Sequence, residues 1–298
     1  MDSMSDIKHR IRSISQTQQI TRAMHLISVS KMRKALAKHE SNAAYFTRVR
    51  SAMKDILMHT GEFSHPFLKH EIQKTEQDRD AYIVIAGDKG MAGAYNHNVL
   101  KMALDHMQGN PREKYIFTVG QVAREFFHRE GYQVDVEFLH TAQNPSLRNA
   151  RQIAETLIDL YRKDLIDEIF VVYTEMVSTM EQVPHVVRLL PLLASDFQDV
   201  QVDWEDAGHR ETEIKYEPSP AQVFDTLVPE YVIGMVYAML VQSFASEHSA
   251  RMNAMSAANR NADEMIKKLN LVYNRVRQAS ITQEIAEISG GAEALKDS

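Results

Sequence analysis

The chain has 298 residues, 44% hydrophobic and 25% charged, and no Cys. That is enough apolar material for a sizeable core in one or two domains, while the missing Cys excludes a disulfide framework, zinc-finger spacing and a cysteine nucleophile. The net charge of −6 is uneven: residues 1–60 hold 11 Lys and Arg against four acids, +7, leaving 23 against 36, −13, for the rest. A basic amino-terminal arm on an acidic body points to an acidic partner, whether nucleic acid, anionic lipid or a carboxylate-rich protein surface.

The amino end, "MDSMSDIKHRIRS", lacks the apolar core of a signal peptide. From Ser3 to about Thr60 there is neither Pro nor Gly; Ser3 and Asp6 can form a capping box, and Gly61 supplies a left-handed stop. The expectation is one helix several times the usual globular length.

Between 81 and about 195 the pattern changes. "AYIVIAG", "KYIFTVG", "YQVDVEFL", "EIFVVYTEM" and "QVPHVVRLLPLL" read as strands, and 95–109, 121–130 and 147–163 as helices. The alternation predicts a mostly parallel sheet covered on both faces. The turn "IVIAGDKGMAGAYN" lies where a dinucleotide binds in some α/β folds, but its G-x-x-G-x-x-G spacing is neither the dinucleotide fingerprint nor a P-loop, and Asp88 opposes a pyrophosphate. It reads as a tight turn with close helix–sheet packing.

An acidic stretch, "QVDWEDAGHRETEIKYE", leads to "PSPAQVFDTLVPEYV", where Pro229 is placed to begin a helix. That helix is expected to run to Ser289 and to stop at Gly290 and Gly291. Its least polar part, "YVIGMVYAMLVQSFAS", falls short of the roughly 20 apolar residues of a membrane span. A helix of such length is unstable alone in water and must lay a stripe against something. Met252, Met255, Asn259, Ala262, Ile266, Leu269, Tyr273, Val276, Ser280 and Gln283 recur in alternate threes and fours, a coiled-coil seam that is half polar. Ile7, Ile11, Ile14, Gln18, Thr21, His25, Ser28, Met32 and Ala35 form a matching row in the first helix. The expected architecture is α/β: two long terminal helices in an antiparallel coiled coil, 1–60 and 218–298, with a Rossmann-like α/β domain, 80–217, between them.

Four stretches carry a resemblance: "IKHRIRSISQTQQITRAMHLISVSKMRKA" (7–35), "GDKGMAGAYNHNVL" (87–100), "YEPSPAQVFDTLVPEYV" (216–232) and the segment from "SEHSARMNAM" through "GGAEAL" (246–295). Together they resemble the gamma subunit, the central stalk, of rotary F-type ATP synthases. The resemblance implies a non-catalytic shaft, with no cofactor and no metal. Its coiled coil enters a ring of alternating alpha and beta subunits, and its globular part sits with the epsilon subunit on the membrane ring of c subunits. Rotation then couples proton or sodium-ion flow to ATP synthesis or hydrolysis. By the same resemblance, contacts that couple rotation to the ring fall on Met24, Arg251, Arg277, Gln278, Thr282 and Glu284. The chain departs from the family's "SDRGLCGG" at Gly87–Ala94, and from its "AT" at Ala258 and Asn259, which puts an amide into the seam.

The resemblance further implies a peripheral position at the cytoplasmic face of a bacterial cell membrane, without a span. The rival from another class is a basic helical nucleic-acid-binding or oligomerising scaffold. The first forty residues offer no Phe, Tyr or Trp for a base to stack on, so no nucleic acid is expected. The 13 His residues form no H-E-x-x-H, and no G-x-S-x-G is present. His97 and His248 read as surface residues.

Overall fold

The computed structural model describes residues 3–59, 65–69, 75, 77–138, 141–198 and 216–294. Gly61 and most of the acidic stretch before Tyr216 lie outside them. The elements in chain order are α1 (Met4–His59), β1 (Arg79–Ile85), α2 (Tyr95–Gln108), β2 (Glu113–Val119), α3 (Gln121–Arg129), β3 (Val136–Phe138), α4 (Leu147–Arg162), β4 (Glu168–Met176), β5 (Gln182–Leu190), a short 3-10 turn (Ala194–Phe197) and α5 (Pro220–Ala294). Contacts divide the chain into two compact units: residues up to Ser28 with those from Arg251 onward, and Val29–Ala250.

Val29–Ala250 is built on a five-stranded sheet of order β3-β2-β1-β4-β5. β1 pairs in parallel with β2 and β4, β2 in parallel with β3, and only β5 runs antiparallel, against β4. Strands buried on both faces read as continuous apolar runs, as in "AYIVI". Side-chain alternation then sorts them between two layers. Ala81, Ile83, Ile85, Phe117 and Val119 join the core with α4 and the inner parts of α1 and α5, whereas Tyr82, Val84 and Ile116 pack against α2 and α3.

The start of α1 follows the sequence reading. The Ser3 amide donates to the Asp6 carboxylate and the Asp6 amide donates back to Ser3 Oγ, which satisfies donors that a first turn leaves open. Four expectations need correction. α5 begins at Pro220, nine residues before Pro229, which lies inside the helix. The signal was Ser219: its Oγ accepts the Gln222 amide at 3.3 Å, and Pro220 follows at the first helical position, where a missing N–H costs nothing. At the far end α5 continues through Gly290 and Gly291 to Ala294; Gly lowers helix propensity but stops a helix only where it turns left-handed. The third strand is limited to Val136–Phe138. Finally, His248 is buried at 6% exposure and packs edge-on to Phe244 at 4.3 Å, because α5 is enclosed on nearly every side there; His97 is exposed as expected.

By length and composition α5 does contain a window apolar enough to cross a bilayer. Its apolar residues, among them Val232, Val236, Leu240 and Ala245, are core residues of the sheet unit, which accounts for the composition.

Candidate functional site

The two-helix unit is thin, so its seam is legible residue by residue. From Asn261 to Ile281 on α5, the residues shielded from solvent are Ala262, Ile266, Leu269, Tyr273, Val276 and Ser280, and the rest of that stretch is exposed. These are the positions that the three-four spacing selects. On α1, Ile7, Gln18 and Ser28 are buried, with Ile11, Ile14, Thr21 and His25 half-buried. Gln283, at the end of the row, is exposed.

Polar groups inside this seam are matched across it. The Gln18 side-chain amide donates to Asp263 Oδ1 at 2.6 Å and to the Asn259 carbonyl at 3.2 Å, and the Thr21 hydroxyl donates to Asn259 Oδ1 at 2.5 Å. Gln18 meeting Asp263 while Thr21 meets Asn259 is an antiparallel order. Asn259 thus has its carbonyl and its side-chain oxygen both bonded across the seam.

The six residues singled out from the resemblance do not form one cluster. Met24 is half-buried on α1 and Arg251 is buried at 7% exposure. Arg277, Gln278, Thr282 and Glu284 are exposed on α5. The Thr282 hydroxyl donates to the Gln278 carbonyl at 2.9 Å. Asn274, Gln278 and Thr282 share one helix face by spacing, and all three are open to solvent. Exposed apolar residues surround them: Leu271, Val272, Ile281, Ile285 and Ile288. Such a surface, apolar and polar side by side, suits contacts that form and break against a partner.

A second surface lies in the sheet unit. Lys31, Lys34 and Lys38, all exposed, line a groove of about 380 Å³ with Asn144, Val241 and Phe244. Sequence reading gave the charge of α1 but not this groove, since the other wall comes from residues a hundred or more positions away.

At its Gly87 end the Gly-rich turn is filled by the protein's own groups. The Gly87 amide donates to Asn96 Oδ1 at 2.9 Å, and the Asn96 amide donates to the Lys89 carbonyl at 3.2 Å. Asp88 Oδ1 accepts the Gln121 amide at 2.9 Å, taking up a helix N-terminus that an anion would otherwise need. A Cβ on Gly87 would stand 3.0 Å from the Glu247 carboxyl carbon, and one on Gly120, at φ 98°, only 2.2 Å from the Ala86 carbonyl oxygen. Two carboxylates and a close backbone approach occupy the turn.

At the opposite, amino-terminal end of the strands, Arg112 joins two buried acids, donating to Asp80 and Glu168 at 2.7 Å each. Burial pushes the Asp80 carboxyl up, against the pull of Arg112. One guanidinium shared by two carboxylates fastens the starts of β1 and β4 together; Asp105, His106 and Asn110 open a cleft of about 470 Å³ beside it. Neither the cleft nor the ion cluster was visible in the sequence, because the three charges come from separate strand starts.

The sheet unit and the two-helix unit each draw on both α1 and α5. The family described as ATP synthase matches residues 3–295. The ATP synthase gamma chain of Caldanaerobacter subterraneus subsp. tengcongensis is 46% identical over 96% of this chain and 98% of its own. That of Ruminiclostridium cellulolyticum is 44% identical over 99% of both. In fold, the chain is similar to one in the Euglena gracilis mitochondrial ATP synthase, OSCP/F1/c-ring, rotational state 3, with a TM-score of 0.64 at 15% identity over 98% of this chain and 94% of that one. The chain belongs to the ATP synthase gamma-chain family. It is a non-catalytic subunit, and the nucleic-acid alternative is not favoured.

Proposed function

We propose that this chain turns inside a ring of alternating alpha and beta subunits and couples ion flow through a membrane c-subunit ring to ATP synthesis or hydrolysis. In this reading 1–60 and 218–298 are the shaft and 80–217 is the foot, which meets the epsilon subunit and the c ring. The seam is the observation that supports it most strongly: a long two-helix unit whose inner polar groups are matched to each other, with an outer surface left for partners. A shaft needs length and stiffness, and contacts too shallow to hold it at any one stopping point.

Met24, Arg251, Arg277, Gln278, Thr282 and Glu284 are the proposed contact residues. Arg277 and Gln278, exposed and polar, suit hydrogen bonds and ion pairs to a ring subunit. Arg251 and Met24, being shielded, act by holding the helix pair as much as by touching a partner. Lys31, Lys34 and Lys38 supply charge that steers an acidic ring surface without a locked fit. The protein is a peripheral component of the membrane complex, and we place it at the cytoplasmic face of a bacterial cell membrane.

Native mass spectrometry of this chain mixed with alpha and beta subunits from the same organism tests the reading. One copy per ring is the expected result; a chain that stays apart or only self-associates refutes it.

A further inference from the structure

We propose that Gln242, Ser243 and Ser246 form a clasp that fixes the rotational setting of α5 against the sheet and carries twist between them. The inference rests on the rotor reading and adds to it the place where helix and sheet are locked.

The observation is a set of side-chain bonds from α5 to strand backbone. The Thr174 amide donates to Ser243 Oγ at 3.3 Å, and Ser246 Oγ donates to the Thr174 carbonyl at 3.1 Å. The Met176 amide donates to Gln242 Oε1 at 3.2 Å. One turn further on, Ser249 Oγ donates to the Thr179 carbonyl at 2.7 Å. Positions 242, 243, 246 and 249 fall on one face of a helix. Ser243, Ser246 and Ser249 are at most 1% exposed.

β4 has backbone groups to offer here for a topological reason. The β1–β4 ladder ends at Val84 and Val172, two residues before Thr174. On the other side Thr174 stays in register with β5, opposite Pro184. On the β1 side the Thr174 backbone thus lies past the end of the ladder, and unmatched buried amides and carbonyls are costly.

What the serines add is direction. Apolar packing resists separation of two surfaces but constrains sliding and turning weakly, because it is non-directional. Hydrogen bonds weaken steeply off their axis. A one-residue rotation of α5, about 100°, would break all three contacts of the clasp together. α5 is one helix from Pro220 to Ala294.

The test uses the assembled holoenzyme. The chain has no Cys, so Lys101→Cys, exposed on α2, gives one attachment point on the sheet unit for a bead, with the catalytic ring immobilised. Ser243→Ala with Ser246→Ala is compared with wild type and with Val99→Ala, a core truncation on the other sheet face that lowers stability without touching the clasp. Expected for the serine pair are assembly into the ring, ATP hydrolysis by the detached ring complex within about twofold of wild type, angular variance of the bead raised at least about twofold, and gradient-driven ATP synthesis lowered about fivefold, since two buried backbone groups lose their partners. Val99→Ala should leave both variance and synthesis near wild type.

Wild-type variance and synthesis in the serine pair, or equal changes in Val99→Ala, would overturn the clasp. If the serine pair fails to enter the ring while wild type enters, Gln242→Ala, at the half-buried edge of the clasp, decides by the same two readouts. If wild type itself does not join alpha and beta subunits, the rotor reading fails and the clasp's role in carrying twist falls with it.

Discussion

In Val29–Ala250, Tyr82, Phe117, Ile83 and Phe224 are closed off from solvent and two charges sit against one Arg in the interior. In the two-helix unit, among the described residues beyond Arg251, only Met255 is buried on α5. The sheet unit draws its stability from many dry contacts between elements distant in sequence. The helix pair has one seam, half polar, and gains from helix continuity and matched hydrogen bonds what it lacks in buried area. A globular unit and a two-helix stem are thus built on opposite terms, although α1 and α5 belong to both.

The largest expected effect lies in the dry unit. Arg112→Leu leaves the Asp80 and Glu168 carboxylates buried without their guanidinium, and urea unfolding should show a loss of about 3–5 kcal/mol. A loss below about 1 kcal/mol would mean that water reaches the cluster and that the interior is less dry than its burial indicates.

The stem should respond in the reverse sense. Asn259→Leu removes the acceptor of the Thr21 hydroxyl but makes the seam more apolar, so stability should change by no more than about 1 kcal/mol. The cost is expected in specificity, as self-association seen by analytical ultracentrifugation, because the seam amide is gone. A monodisperse variant would show that apolar spacing alone sets the pairing.

A smaller effect is expected at His65, buried beside Phe224 and 3.7 Å from Asp225. Burial holds its pKa below the ordinary 6.5, against the opposing pull of Asp225. A depressed folded pKa means that the unfolded chain takes up the proton first. The contribution is therefore complete above the unfolded value of 6.5 and is lost as pH falls from there through the folded pKa. The melting temperature should drop more steeply between neutral and mildly acidic pH in wild type than in His65→Phe; parallel curves would remove His65 from the account.

The smallest stability effect belongs to the outer face of the stem. Arg277→Ala and Gln278→Ala, both exposed, should stay within about 0.5 kcal/mol of wild type in thermal unfolding. Their effect should appear instead in the coupling of hydrolysis to ion transport by the assembled enzyme. Unfolding shifts well beyond that bound would mean that the residues support the helix pair itself.

Local rules made much of this molecule legible. Three-four spacing is a property of consecutive residues, so the seam from Ala262 to Ser280 followed from the chain alone, as did the Ser3–Asp6 capping box and the apolar runs of β1, β2 and β4. Errors fell where local signals compete. Pro220 and Pro229 both fit a helix start, and the choice depended on the cap that Ser219 provides. Gly290 and Gly291 permit a stop without enforcing one. His248 is polar by type yet buried by its neighbours.

What the sequence by itself determined was the alternation of strands and helices, the presence of two unusually long terminal helices and the seam face each presents, because these depend on residue types at fixed short spacings. Tertiary structure alone decided what fills the Gly-rich turn, which acids share Arg112, where the lysine groove has its second wall, and how Ser243 and Ser246 reach a strand some seventy residues earlier. Those features need directional bonds or buried charge between groups far apart in the chain, and no local spacing encodes the distance that folding closes.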